Sequence, residues 1–409
     1  MAATGVSTLT PNGSQLFGAA ESHRTRSSTY STFTDSTLGE FMKGIVFTGD
    51  KAEVLDGLEV RDPGAGEVIV KVMAAGVCHS DVTAAAGAFG WPSPAVLGHE
   101  GAGIVEKVGT GVTHVVEGDH VIISTLAACG VCKACAQGKP TRCRQTLGNM
   151  AQPFTLNGEA CWNFAAASVF TERTVVRGFQ AVKIPKDVPF TSACLVGCGV
   201  MTGAGAVLYR SDVKIGQTAV VYGCGGVGLN AIQALRVKRA SRIIAIDTEP
   251  EKEALARQFG ATDFLNGRDE DIVEQVRRLV PYSDTELSGP FNAGGVDWVY
   301  DVVGHPTVTS NALEMLDWGG TVVIIGTPGG DATFTLPYQR FTQNERSVIG
   351  CRAGSYSPHS DMVQIIDLYR RGEFMLDELV TATYPLEGFH DAVHDMHSGA
   401  VARGVLTIG

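Results

Sequence analysis

The chain has 409 residues, 44% of them hydrophobic, enough for a large buried core and for two domains at about 100–200 residues each. A formal net charge of −11 opposes binding to nucleic acid or to an anionic membrane surface. No uninterrupted apolar run approaches the ~18 residues of a membrane span, and the longest, such as residues 321–326 (TVVIIG), are strand-sized.

Residues 1–41 are rich in serine and threonine and lack hydrophobic periodicity, so they are expected to form a disordered N-terminal extension without a catalytic role. They carry no apolar signal segment, and Arg24 and Arg26 are a thin basis for a targeting peptide. A reducing, cytoplasmic location is therefore expected. From Met42 onward, short β-branched runs (KGIVF, EVIVKVMAAGV, GAGIVEKVG, DHVIIS) are separated by Gly, Pro and Asp. They predict a strand-rich first half with few long helices. Within it lie GVCHSD at residues 76–81 and GHEG at residues 98–101, followed later by GCGVMTG at residues 197–203.

Between the last two stands CGVCKACAQGKPTRC, which puts Cys129, Cys132, Cys135 and Cys143 in the pattern C-x2-C-x2-C-x7-C. Short spacings of this kind let one loop wrap a single zinc ion in a closed tetrahedron of thiolates. An iron–sulfur cluster is the rival, but the fourth cysteine is not followed by proline and no partner set flanks the loop. Lys133, Lys139 and Arg142 make the loop locally basic, yet the acidic chain disfavours a nucleic-acid module. Four ligands leave no open position, so this loop is expected to hold shape and the chemistry to lie elsewhere.

The texture changes near Lys214. TAVVYG, GCGGVGLNAIQALRVKRA, RIIAID and EPEKEALARQFGA read as strand, glycine turn, helix, strand, helix, the rhythm of a parallel sheet with crossover helices. Gly223, Gly225 and Gly228 form G-x-G-x-x-G, which allows a tight turn, backbone approach to a pyrophosphate and close helix–strand packing. Asp247 ends the next strand about twenty residues on, where an acid grips the adenosine ribose and repels a 2′-phosphate, favouring NAD over NADP. A cap on the following helix is the other use for Asp247. From about Arg352 mixed elements return, ending in RGVLTIG.

In this order and spacing, Cys78, the G-H-E at His99, the four-cysteine loop, the C-G-x-x-T at Cys198 and the glycine fingerprint resemble the zinc-dependent alcohol dehydrogenases of the medium-chain dehydrogenase/reductase family, from about Met42 to the C-terminus. The resemblance implies an α/β chain with a GroES-like β-rich catalytic domain (residues 42–200 and 353–409) and an inserted doubly wound Rossmann domain (residues 201–352). It implies one structural zinc in the loop and one catalytic zinc held by Cys78, His99 and Cys198, rather than by the nearby Cys194. Glu100 matches an acid that approaches the zinc from behind, Asp81 the carboxylate that orients the histidine, and Ser80 the hydroxyl on the bound alcohol. His79, Thr202, Gly226, Val227, Lys252, Ile325 and Arg403 fall where family members contact NAD. The zinc makes the alcohol acidic enough to give hydride to the nicotinamide.

The match breaks in two places. Thr83 stands where many members carry a proton-relaying histidine. Phe89 and Leu147 stand where the glutathione-dependent formaldehyde dehydrogenases hold glutathione with an aspartate and an arginine. Phe89 and Thr125 are expected to line an apolar channel for an uncharged alcohol or aldehyde, roomier inside because Thr125 replaces a frequent aromatic. Trp162 and Phe164 are candidates for either pocket or core, with core preferred. A homodimer or homotetramer is expected, with no nucleic-acid or membrane partner. A polyol dehydrogenase, a thiol-dependent formaldehyde dehydrogenase and a catalytically silent relative are the alternatives, and the intact Cys78–His99–Cys198 set argues against the last.

Overall fold

The computed structural model describes residues 41–146, 150–281, 294–399 and 401–409. The expectations for residues 1–40 and for Leu147 lie outside the described residues.

Three β-layers organise the chain. Strands Met42–Phe47, Ala52–Val60, Phe154–Leu156, Glu159–Asn163 and Ala95–Val96 close a small barrel. A seven-stranded sheet is built around Glu67–Gly76, which pairs antiparallel with Glu100–Val108, Arg173–Arg177 and the C-terminal strand Arg403–Thr407. Its sequence EVIVKVMAAG has seven buried positions of ten, as a strand covered on both faces must. The C-terminus thus comes back to the N-terminal half.

The third layer is a six-stranded parallel sheet. Counted along the chain from Thr218–Tyr222, its spatial order is 3-2-1-4-5-6, the doubly wound arrangement the glycine fingerprint predicts. Val220, Ile244, Val299 and Val322 are fully buried at its centre, each worth about 1.5–3 kcal/mol of burial. The edge strand Ser347–Gly350 pairs, among the described residues, only with Leu316–Ile324.

The expectation of few long helices and strand-sized apolar runs is corrected in one respect. A helix of 21 residues, Phe190–Arg210, runs through GCGVMTG with a mean hydropathy of 1.6 over its most apolar window, 78% of which is buried inside the protein. Four glycines within it disguise it, since each costs a helix about 1 kcal/mol relative to alanine. Burial supplies what propensity withholds: Leu195, Val196, Val200, Met201, Ala204 and Val207 are all buried. At Gly203 a Cβ would run into the Val227 carbonyl, so this glycine lets the helix press against Gly226–Val237, the helix that opens at the fingerprint. It is a core helix that joins the two halves.

Candidate active site

Register brings the site together. In the central sheet Gly76 faces Glu100 on one side and Val405 on the other. Cys78 therefore follows one strand end while His99 precedes the adjoining strand, and Arg403 lies two residues before Val405. Cys198 arrives from the helix Phe190–Arg210, inside the wide π turn Val196–Val200. Such turns re-aim side chains and recur at functional sites.

One ligand atom from each of Cys78, His99, Glu100 and Cys198 lies within 4.8 Å of the others. The second ring nitrogen of His99, Nδ1, is 2.7 Å from Asp81 Oδ1, which leaves Nε2 for the sulfurs. Asp81 is fully buried at the start of helix His79–Ala85 and accepts the Cys78 N–H at 3.0 Å. Burial pushes the Asp81 carboxyl up, even with the imidazole beside it. Burial also opposes charge on His99, but the Asp81 carboxylate and the Cys198 sulfur together outweigh it and raise the ring well above the usual histidine range. The Cys198 thiol and then His99 hold Cys78 well below an ordinary thiol, so the pocket favours a thiolate. Two sulfurs and an imidazole with a carboxylate behind it are the donor set of a zinc site that keeps a position open, and these residues fit the metal.

Glu100 does not face outward. It accepts the Gly199 N–H at 3.1 Å and pairs with the buried Arg403 guanidinium, which also donates to the Val77 carbonyl at 3.3 Å. Burial raises the Glu100 carboxyl to about 7 although Arg403 draws it down. Arg403 thus stands behind the metal position and also next to the glycine turn, where its side chain abuts Gly226. Its Nε is buried without a hydrogen-bond partner.

Of the residues expected to contact a coenzyme, the glycine turn, Asp247 and Ile325 lie at the C-terminal ends of the parallel strands Thr218–Tyr222, Arg242–Asp247 and Leu316–Ile324. Gly225 caps the helix Gly226–Val237, and nothing lies within 4 Å of a Cβ built on it, leaving backbone open toward a phosphate. Asp247 accepts from the Cys224 N–H at 2.7 Å and the Glu249 N–H at 3.0 Å, and Lys252 Nζ reaches both its oxygens at 3.0 and 3.1 Å. It therefore closes a turn and pairs with Lys252 rather than capping the following helix. Thr202 Oγ1 is 4.0 Å from Cys198 Sγ, one residue before the Gly203 that packs against Val227. Ile325 donates its N–H to the Asp301 carbonyl at 2.9 Å, and His79 is exposed at the start of its helix. The orphaned Arg403 donor and the open Gly225 cradle fit a dinucleotide.

Four thiols gather in the loop at Cys129, Cys132, Cys135 and Cys143, all within 4.8 Å, with Cys132–Cys135 and Cys129–Cys143 sulfurs at 3.6 and 3.7 Å. A zinc–sulfur bond of about 2.3 Å gives a tetrahedral edge of about 3.8 Å, whereas a disulfide needs about 2.05 Å. All ten cysteines are free. Burial disfavours the Cys143 thiolate, yet the N–H groups of Cys129 and Gln145 bring its pKa down to about 6. The loop fits one zinc.

Beside His99, Phe89 stacks on Phe164 at 6.5 Å, Trp91 meets the same ring edge-on at 5.2 Å, and Phe164 lies 6.0 Å from the His99 ring. Phe164, for which both core and pocket are open from the sequence, is buried and also lies next to His99. Ser80 is exposed one residue before Asp81, and Thr125 is half-buried. Sequence reasoning missed Trp91 and Tyr356, the latter lying beside Thr125 and Ser124. Replacing Asp81 with asparagine is expected to lower kcat/KM by about 10–100-fold while both zinc ions stay bound. Metal analysis alongside steady-state kinetics checks this, and an unchanged rate would deny Asp81 its orienting part.

Comparison with known proteins adds to this geometry. The model described as "Alcohol dehydrogenase GroES-like domain" matches residues 64–186, and that described as "Zinc-binding dehydrogenase" matches residues 226–371. The S-(hydroxymethyl)glutathione dehydrogenase of Saccharomyces cerevisiae is 36% identical over 390 residues, covering 91% of this chain and 98% of its own. An alcohol dehydrogenase zinc-binding domain protein from Burkholderia ambifaria superposes with a TM-score of 0.83 at 32% identity, over 90% of this chain and 99% of that one. Benzyl alcohol dehydrogenase from Acinetobacter calcoaceticus does so with 0.82 at 31%, over 90% and 100%.

Proposed function

The chain belongs to the zinc-dependent alcohol dehydrogenases of the medium-chain dehydrogenase/reductase family, and on that premise we propose that it moves hydride reversibly between an uncharged, apolar-bodied alcohol and NAD. The observation that carries the proposal is the convergence of Cys78, His99 and Cys198 within 4.8 Å under the Phe89–Phe164–Trp91 wall.

In this reading Cys78, His99 and Cys198 hold a zinc ion, which when bound supplies the Lewis acidity that makes an alcohol proton leave near neutral pH. Asp81 keeps the His99 ring in the tautomer that presents Nε2. Ser80 accepts the alcohol proton by hydrogen bond at the mouth of the site. Thr202 would face the nicotinamide, Asp247 with Lys252 would hold the adenosine ribose, and Gly223, Gly225, Gly226, Val227, Gly228, His79 and Arg403 would hold the pyrophosphate. The aromatic wall excludes water and aligns the substrate carbon. The anionic Asp247 makes NAD the coenzyme. Catalytic residues 42–200 and 353–409 and coenzyme-binding residues 201–352 are the division of labour this implies.

Thr83 does not replace a histidine chemically. Its hydroxyl donates to the His79 carbonyl at 2.9 Å, within its own helix. Proton release then runs through solvent, and the rate of alcohol oxidation is expected to climb between pH 6 and pH 10. A flat profile over that range would count against release through solvent.

A second reading has support from the relative: oxidation of a hydroxymethyl–thiol adduct, since the yeast enzyme is named for S-(hydroxymethyl)glutathione. The apolar Phe89 favours the first. A panel of primary alcohols, and formaldehyde with and without glutathione, followed by NADH absorbance, separates them. Turnover of apolar alcohols without thiol is the predicted outcome, turnover confined to formaldehyde plus glutathione would install the second reading, and no turnover at all would remove both.

The same proposal places the enzyme in the cytoplasm as a homodimer or homotetramer. The free cysteines support the former. The edge strand Ser347–Gly350, near the exposed Trp318 and Tyr338, supports the latter.

A further inference from the structure

The segment that leads out of the parallel sheet is bent in an unusual way. After the strand Ser347–Gly350, residues Ala353, Gly354 and Ser355 have φ of 47°, 71° and 55°, three successive left-handed residues of which one is glycine. A non-glycine residue of this kind is strained and persists only where its surroundings enforce it. The enforcement is visible here. Gly354 is so close to the helix Phe190–Arg210 that a Cβ would run into the Met201 carbonyl. The turn is pressed flat against the helix that carries Cys198.

What the turn delivers is Tyr356. Its side chain is 1% exposed, shares a 3.0 Å hydrogen bond with Ser124 Oγ and donates to the Gly197 carbonyl at 3.4 Å. The Thr125 side chain faces the same phenol, and Cys198 lies within its electrostatic reach. Ser124 directly follows the strand His120–Ile123, and its Oγ also accepts the Leu126 N–H at 3.1 Å. Proton bookkeeping closes: the serine hydroxyl donates to the phenol oxygen, and the phenol donates to the carbonyl. Gly197 immediately precedes Cys198 inside the π turn Val196–Val200, where the helix ladder is irregular and cannot by itself fix the backbone. The phenol is buried one residue's reach from Cys198, on the Gly197 carbonyl, and no step of hydride transfer uses it.

We propose that Tyr356 is a positioning residue for Cys198: by tying the Gly197 carbonyl to the strand end at Ser124, it sets where the Cys198 sulfur stands relative to Cys78 and His99. The inference rests on the zinc-site reading above. It accounts for a strained turn far along the chain from the ligands, and for a tyrosine hydroxyl buried at this junction.

The test is Tyr356→Phe in the full chain, which keeps the ring and deletes the donor. Zinc release to excess dipicolinate is followed with a chromophoric indicator, and the four-cysteine zinc serves as the internal reference. One zinc ion is expected to leave about 10–100-fold faster than in the unmodified chain, with the other unchanged and kcat falling more than KM moves. Ser124→Ala cuts the same link at its other end and should reproduce the selective loss, which keeps the test open should Tyr356→Phe fold poorly. Unchanged release from both variants overturns the proposal, as does equal acceleration of both ions, the mark of general loosening. A failure of the zinc-site reading is distinguishable, because the unmodified chain would then carry zinc in the four-cysteine loop alone.

Discussion

Exchanging Cys78 for serine is expected to leave one zinc ion per chain instead of two and to lower kcat/KM on the order of 10³-fold, roughly 4 kcal/mol of transition-state stabilisation. The expectation follows from geometry. Cys78 is the ligand the environment holds most firmly as a thiolate, with the Cys198 thiol and His99 donating toward it. A serine hydroxyl in its place cannot ionise near neutral pH, so the cage keeps one thiolate and one imidazole. Global stability should change little, because Cys78 sits at the end of its strand, on a helix cap, outside the buried core. Zinc content by elemental analysis, rates and a melting curve on the same preparation give the three readouts. Full zinc content with full activity would contradict the assignment.

Exchanging Cys132 for alanine is expected to do the opposite. The loop between Cys129 and Cys143 has little apolar packing of its own: among its residues Pro140, Thr141 and Cys143 are buried, and Val131 is 88% exposed. Its shape depends on the four sulfurs, and on ties such as Arg352 Nη1 to the Thr141 carbonyl at 3.0 Å. Metal binding in such a loop is folding free energy. Losing it should cost several kcal/mol and lower Tm by about 10 °C, with the folded fraction still able to turn over alcohol. Thermal unfolding with and without added zinc checks this, and an unaltered Tm would mean that the loop holds itself.

The two sites also differ in how legible they were. The four-cysteine loop and the glycine fingerprint are written in local spacing, and local spacing survives folding: C-x2-C-x2-C-x7-C becomes a cluster within 4.8 Å, and Gly223, Gly225 and Gly228 open a helix. The catalytic set is not local. Cys78, His99 and Cys198 meet because Gly76 pairs with Glu100 and because an apolar helix brings the third residue, and neither fact is visible in a short window. Family resemblance supplied those residues where periodicity could not. The helix Phe190–Arg210 was hidden by its own glycines, whose cost is met by tertiary burial. Tyr356 gave no signal at all, since a tyrosine in SYSPHS becomes informative only after the left-handed turn places it against Gly197. Phe164 shows that core and site wall are not exclusive: its ring is buried because it packs on Phe89, Trp91 and His99.

The central claim is that the pocket bounded by Cys78, His99 and Cys198 holds a metal ion distinct from the one in the loop. Anomalous scattering at the zinc edge from crystals of the full chain reads this directly. Two peaks are predicted, one among Cys129, Cys132, Cys135 and Cys143 and the other between the Cys78 and Cys198 sulfurs and His99 Nε2. A lone peak in the loop, with the Cys78 and Cys198 sulfurs turned apart in crystals grown with zinc present, would contradict it.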